Sequence, residues 1–254
     1  MDFDFTGKTV LVTGGARGIG GQISRLFASK GARVLVNHLA TPEDMQAVDS
    51  MLAEESFQGR LLPVAGDICA ESTAELLAET VRSSTGTVDV FINSAGYTTP
   101  ATLESTDRPL WHQLVDINLS GAFYMAKAVV PYMRSQGWGR LIFIGSAGSI
   151  TGGGGSVGYS AAKAGINGLV RSLSKELAPL GITVNAILPA IIDTDLLRTR
   201  EPDPERRRMY VDRIPVGRLG TPADVAWLAM FLASGYAGYI SGQQIIIDGG
   251  STYR

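Results

Sequence analysis

Residues 9–20 read Thr9-Val10-Leu11-Val12-Thr13-Gly14-Gly15-Ala16-Arg17-Gly18-Ile19-Gly20, and apolar side chains follow at Ile23, Leu26 and Phe27. A short β-branched run, a glycine-rich turn and then helical spacing describe a strand that enters a helix. Glycines at such a turn let a backbone approach a ligand closely, while the helix start offers free N–H groups and the positive end of a dipole. A pyrophosphate is the natural occupant, which makes the turn a candidate dinucleotide site. The spacing G-x-x-x-G-x-G differs from G-x-G-x-x-G, and a glycine turn by itself is equally a structural device. Its place in the first strand–helix unit favours the ligand.

Six further apolar runs lie downstream: Arg33 to Val36, Leu61 to Val64, Val88 to Ile92, Arg140 to Ile144, Ile182 to Ile187 and Gln244 to Ile247. Helix-like segments separate them. Seven strands alternating with helices imply a parallel sheet covered on both faces, a doubly wound, Rossmann-type α/β fold. No linker or composition shift divides the chain, so residues 1–254 are expected to form one domain. In such sheets ligands sit beyond the carboxyl ends of the strands, and the residues just after each run become the candidates.

Composition narrows the function classes. The 254 residues are 45% hydrophobic and 18% charged with a formal net charge of -2, which disfavours a disordered chain or a nucleic-acid binder. Cys69 is alone and cannot form an intrachain disulfide, and His38 and His112 are the only histidines, so no zinc-ligand spacing exists and no metal is expected. The start, Met1-Asp2-Phe3-Asp4, lacks a basic region followed by an apolar stretch, and the run Val225 to Ala233 is too short to span a bilayer. A cytoplasmic protein with a small-molecule substrate and no membrane partner is the expectation.

Tyr159-Ser160-Ala161-Ala162-Lys163 places a phenol and an amine four residues apart, on one helix face about 6 Å from each other. Of the eight tyrosines only Tyr159 has a lysine in that register. A free tyrosine has a pKa of about 10 and needs a nearby cation to act as a base at neutral pH. Alone, such a pair is more often an amphipathic surface feature. Ser146, thirteen residues earlier and just after an apolar run, and Asn118, in Asn118-Leu119-Ser120-Gly121, change that balance.

With these motifs the chain resembles the short-chain dehydrogenase/reductase family over essentially its whole length, in the branch of the 3-oxoacyl carrier-protein reductases. The resemblance implies a catalytic tetrad of Asn118, Ser146, Tyr159 and Lys163, with Tyr159 exchanging a proton with the substrate oxygen, Ser146 holding that oxygen and Asn118 positioning a water beside Lys163. It also implies a dinucleotide held by Gly14, Arg17, Gly18, Ile19 and Gly20, by Asp67 and Ile68 at the adenine, and by Asn93, Ala95 and Gly96, with Ser94 in place of the family's second asparagine. Tyr159 and Lys163 would contact the cofactor as well. Pro189-Ala190-Ile191-Ile192-Asp193-Thr194 is similar to the family's P-G-x-x-x-T, with Ala190 for glycine; Pro189, the Ile192 backbone and the Thr194 hydroxyl would meet the carboxamide. Asp248-Gly249-Gly250 fits the family's ending.

Members that use NAD carry an acid after the second strand to accept from the ribose 2′-hydroxyl, and such an acid repels a 2′-phosphate. Here the residues are Asn37-His38-Leu39. NADP(H) is therefore the expected cofactor, with Arg17 supplying charge and Asn37, His38 or Thr41 hydrogen bonds. The other reading leaves Arg17 solvated and Asn37 serving NAD(H).

Gly152-Gly153-Gly154-Gly155 either leaves room for a bulky substrate or simply permits a tight loop. Residues 195–213 occupy the family's substrate lid. Their arginines, Arg198, Arg200, Arg206, Arg207 and Arg208, could meet a carboxylate or phosphate, although a solvated helix face with charge pairs accounts for most of them. The segments around Leu114 to Met133 and Ala161 to Leu177 are where relatives pair into homodimers and homotetramers, and Gly250 to Arg254 could reach a neighbouring subunit. Three functions compete: a ketone reductase or secondary-alcohol dehydrogenase for sugars, polyols or hydroxy acids; a 3-oxoacyl carrier-protein reductase; and a dinucleotide sensor without turnover. Gly137 and Leu180, where the carrier-protein enzymes have basic residues, favour the first, and the complete tetrad disfavours the third.

Overall fold

Successive side chains of a strand leave the sheet on opposite faces, and this chain fills both faces with apolar groups. The computed structural model describes residues 3–253. Its strands are β1 (Thr9–Thr13), β2 (Arg33–His38), β3 (Leu61–Ala65), β4 (Val90–Asn93), β5 (Gly139–Ile144), β6 (Ile182–Pro189) and β7 (Gln244–Ile247). All neighbours pair in parallel, in the order β3-β2-β1-β4-β5-β6-β7. All seven expected strands are present, with half of their edges moved by one or two residues.

The helices are α1 (Gly18–Ser29), α2 (Pro42–Leu52), α3 (Glu71–Thr80), α4 (Arg108–Val115), α5 (Gly121–Gln136), α6 (Gly148–Thr151), α7 (Val157–Leu177), α8 (Asp195–Arg200), α9 (Pro204–Val211) and α10 (Pro222–Ala233). On one face Val10, Val12, Val90, Ile92 and Ile142 pack with Ile23 and Phe27 of α1 and with Val225, Ala229 and Met230 of α10. On the other, Leu11, Phe91, Leu141 and Phe143 pack with Met125 and Val129 of α5 and Ile166 and Val170 of α7. The alternation Val10-Leu11-Val12 is thus a division of one strand between two cores. No helix among the described residues is long and apolar enough to cross a membrane.

Strand order reverses between β1 and β4, whose last residues, Thr13 and Asn93, lie side by side. Crossovers leave in opposite directions there, opening a crevice at the carboxyl edge. Two glycines close the first strand–helix turn tightly: a Cβ on Gly20 would meet the Gly14 carbonyl oxygen, and one on Gly14, at φ +60°, would lie 2.8 Å from the Ala95 Cα.

The segment expected as a lid forms two short helices, α8 and α9, broken at Pro202. Some of its charges are paired. Arg198 bonds Asp193 at 3.0 and 3.1 Å, Arg206 lies 3.9 Å from Glu201, and Arg207 donates to the carbonyls of Glu201 and Pro202. Of the expected C-terminal contact, Arg254 lies outside the described residues.

Phe91, fully buried and edge-to-face with Phe143 at 6.0 Å, anchors the second core. Phe91→Ala is expected to lower the unfolding free energy by about 3–5 kcal/mol, measured by urea denaturation.

Candidate active site

Four elements converge on the carboxyl edge of β4 and β5. The turn after β4, residues 93–97, carries Gly96 beneath two polar atoms: a Cβ there would lie 3.0 Å from the Asn118 Oδ1 and 3.3 Å from the Lys163 Nζ. Only glycine leaves both atoms where they are.

Asn118 is fully buried in a π-helical turn, Asp116–Ser120, inserted between α4 and α5. The wider turn interrupts the regular backbone ladder, and the Asn118 amide restores it by donating to the Leu114 carbonyl at 2.9 Å. The same nitrogen donates to the Tyr97 carbonyl at 2.7 Å, and its Oδ1 accepts from the Tyr97 N–H at 3.2 Å. Asn118 therefore fixes the turn after β4 as firmly as it fixes its own helix.

Lys163, on α7, is buried, and its ammonium donates to the Ile144 carbonyl at the end of β5 at 2.9 Å. Burial pushes its pKa down from the usual lysine range to about 8. The ammonium stands 5.8 Å from the centre of the Tyr159 ring, one turn earlier on α7. Tyr159 is half-buried, and desolvation raises its pKa; a hydrogen-bonding Ser146 hydroxyl and the positive charge of Arg200 act in the opposite direction. The Ser146 hydroxyl accepts from the Gly148 N–H at 3.0 Å, which orients it at the start of α6. The structure thus brings Asn118, Ser146, Tyr159 and Lys163 to one edge of the sheet.

Sequence reading did not single out Arg200. It ends α8, is half-buried, and has no carboxylate partner among the described residues, unlike Arg198 and Arg206.

The four glycines 152–155 form a strap over Tyr159. A Cβ on Gly154, at φ +103°, would lie 2.5 Å from two carbons of the tyrosine ring, and Gly152 and Gly155 also have positive φ. The strap is tied down by Ser160, donating to the Gly153 carbonyl at 2.6 Å, and by Thr98, donating to the Gly154 carbonyl at 2.6 Å. Backbone geometry and the tyrosine ring account for the bare stretch.

At the other end of the crevice, α1 begins without a side-chain cap: Arg17 is its N-cap, and Gly18, Ile19 and Gly20 form its first turn, whose N–H groups make the positive end of the helix dipole. Asn93 accepts from the Thr13 hydroxyl at 3.1 Å, but its buried Nδ2 has no partner. A donor-rich edge with an orphaned amide and glycine clearances suits an anionic dinucleotide. Ile192 bridges to Gly220 through its neighbours' backbone bonds, so its own N–H and carbonyl have no partner among the described residues, and the Thr194 hydroxyl accepts from the Leu197 N–H at 3.3 Å. Pro189 ends β6 beside them.

Several residues expected at the adenosine end of the crevice also have partners within the chain. The Asn37 amide points toward β3 and donates to the carbonyls of Val64 and Gly66, because the parallel edge there leaves those acceptors open. Thr41 is the N-cap of α2, accepting from the Asp44 N–H at 3.2 Å. Ile68 is buried in the second core, where Gly121 makes room for its side chain. Nearby, Asp67 is exposed and accepts from the Cys69 N–H at 2.9 Å. His38 is buried with its Nδ1 accepting from the Ala40 N–H, and Arg17 is not free in solvent: its Nε lies 2.6 Å from Asp44.

Two outcomes follow from this geometry. The buried Lys163 ammonium is a cost to the folded state that is full below about pH 8 and is relieved as pH rises toward the ordinary lysine value, since the unfolded chain binds the extra proton in that window. Relative to Lys163→Met, the unaltered protein should therefore gain stability between pH 8 and 10.5, by up to about 3 kcal/mol in denaturant titrations. Gly154→Ala should displace Tyr159 and reduce turnover by about a hundredfold, whereas Gly152→Ala, which meets nothing within 4 Å, should cost about 1–2 kcal/mol of stability and leave turnover nearly unchanged.

Comparison with known proteins agrees with this arrangement. A family model described as enoyl-(acyl carrier protein) reductase matches residues 14–252. The chain is 39% identical over 247 residues to L-rhamnose-1-dehydrogenase of Scheffersomyces stipitis, covering 96% of this chain and 95% of that one. It is 38% identical over 248 residues to the 3-oxoacyl-[acyl-carrier-protein] reductase of Escherichia coli, covering 97% and 98%. The crystal structure of levodione reductase superposes with a TM-score of 0.89 at 30% identity, over 98% of each chain. A parallel seven-stranded sheet and matches along nearly the full length make this chain a member of the short-chain dehydrogenase/reductase family of oxidoreductases.

Proposed function

We propose that the protein interconverts a ketone and a secondary alcohol on a free small molecule of the sugar, polyol or hydroxy-acid type, using a nicotinamide dinucleotide. The observation that carries this reading is the convergence of Tyr159 and the buried Lys163 ammonium under the glycine strap. The bound dinucleotide supplies or accepts the hydride. Tyr159 gives its proton to the substrate oxygen in reduction and takes it back in oxidation, and the Lys163 charge lowers the cost of the phenolate. Ser146 donates to the same oxygen and holds it beside Tyr159. Asn118, locked by the π-helical turn, keeps the site behind Lys163 polar, so that protons can pass between the ammonium and water.

The glycine turn with Gly14, Gly18, Ile19 and Gly20 receives the pyrophosphate and Arg17 lies toward the ribose 2′ position; Asp67 takes the adenine, Asn93, Ala95 and Gly96 the ribose and its phosphates, and Ile192 and Thr194 the carboxamide. The lack of an acid among Asn37, His38 and Leu39 favours NADP(H), with NAD(H) as the second cofactor. Residues 195–213 act as the lid over one domain spanning residues 1–254, and Arg200 faces a polar or acidic substrate. Gly137 and Leu180 offer no charge to a carrier protein, and the named sugar dehydrogenase among the relatives points the same way. Trp111, Phe123 and Tyr124, exposed on α4 and α5, support association of subunits into a dimer or tetramer in a cytoplasmic setting.

Tyr159→Phe is the direct test, with purified protein, both dinucleotides and a panel of aldoses, polyols and hydroxy acids. Turnover should fall by at least about a thousandfold while dinucleotide affinity stays within twofold or so. Retention of most activity would remove Tyr159 from the proton transfer.

A further inference from the structure

The chain leaving β2 has no acidic residue, yet an acid stands beside it in space. Asp44, in the first turn of α2, reaches back with both oxygens: Oδ1 lies 2.6 Å from the Arg17 Nε, and Oδ2 accepts from the Leu39 N–H at 3.1 Å. Its side chain is nearly buried, while that of Arg17 is 42% exposed. The intervening loop is shaped to hold this contact. Ala40 turns through φ +60°, the His38 ring accepts from the Ala40 N–H, and Thr41 caps α2 by accepting from the Asp44 N–H. A carboxylate is thereby built in between the glycine-loop arginine and the end of the second strand.

We infer that Asp44 is a cofactor-selectivity residue, which restrains binding of the 2′-phosphorylated dinucleotide by holding Arg17 and by presenting its own charge. The inference rests on the dinucleotide reading of the crevice. Arg17 is the cation nearest the glycine turn, and its charge is already compensated by Asp44. A 2′-phosphate arriving beside the pair meets nearly balanced charges, so the gain from Arg17 is largely cancelled. A ribose hydroxyl meets a good acceptor instead. Asp44 thus narrows, from the neighbouring helix, the preference for NADP(H) that the missing acid at the end of β2 would otherwise give.

Nicotinamide fluorescence titrations of NADPH and NADH against the unaltered protein, Asp44→Asn and Arg17→Met test this without any substrate. Asparagine keeps the shape and an acceptor for the Leu39 N–H while removing the charge. Asp44→Asn should tighten NADPH by about tenfold and leave NADH within about threefold of its starting affinity. Arg17→Met, which leaves the carboxylate uncompensated, should weaken NADPH more than NADH. Equal changes for the two nucleotides in Asp44→Asn, or none, would overturn the inference. Failure of the unaltered protein to bind either nucleotide would overturn both it and the dinucleotide reading, and the NADH affinity of each variant reports that the site remains folded.

Discussion

A buried ammonium with a single fixed protein acceptor sets the terms for everything around it. Among the described residues the Lys163 ammonium has one hydrogen-bond partner, the Ile144 carbonyl at the end of β5. Moving an amine out of water is costly, and the cost is met by packing that admits no alternative position. Gly96 is bare because Lys163 and Asn118 fill the space above it. Tyr159 follows from the same helix face, and the glycine strap follows from Tyr159. The site is a chain of exclusions that starts at one charge.

The two ends of the crevice are built by different means. At the catalytic end, side chains are buried and held by backbone partners, which suits groups whose protonation must be controlled. At the glycine turn, the protein withholds side chains and leaves N–H groups and one asparagine amide unspent. Rigid donors with nothing to donate to are stable only beside solvent or a ligand. A long anionic ligand that satisfies one end and reacts at the other fits this division.

Much of this was legible in the sequence because the decisive patterns are local. Thr9 to Gly20, the Tyr159–Lys163 register and the apolar runs each lie within a few residues, and strand pairing in a doubly wound sheet leaves few alternatives for their order. What escaped depends on distance along the chain. Asp44 meets Arg17 across 27 residues, and Thr98 meets Gly154 across 56. Thr41-Pro42-Glu43-Asp44 reads as a helix start, but nothing in it says where the carboxylate points. The bonds of the Asn37 amide to the carbonyls of Val64 and Gly66 join residues 27 and 29 apart, and the glycine that makes room for Ile68 lies fifty-three residues later. Arg200 is half-buried and its charge reaches Tyr159, which spacing cannot reveal.

The π-helical turn at Asp116–Ser120 has a further meaning for how this chain can vary. It carries one residue more than a regular helix of the same rise would need. Removing a single residue from 116–120 would restore an unbroken helix from Arg108 to Gln136, a change that local backbone energetics would favour. The same deletion would swing every earlier side chain by about 100° relative to α5 and carry Asn118 away from Gly96 and Lys163. Foldability and the geometry around Lys163 are therefore in opposition at this spot, and a shortened sequence here would be a well-formed helix that no longer ties Asn118 to the turn after β4.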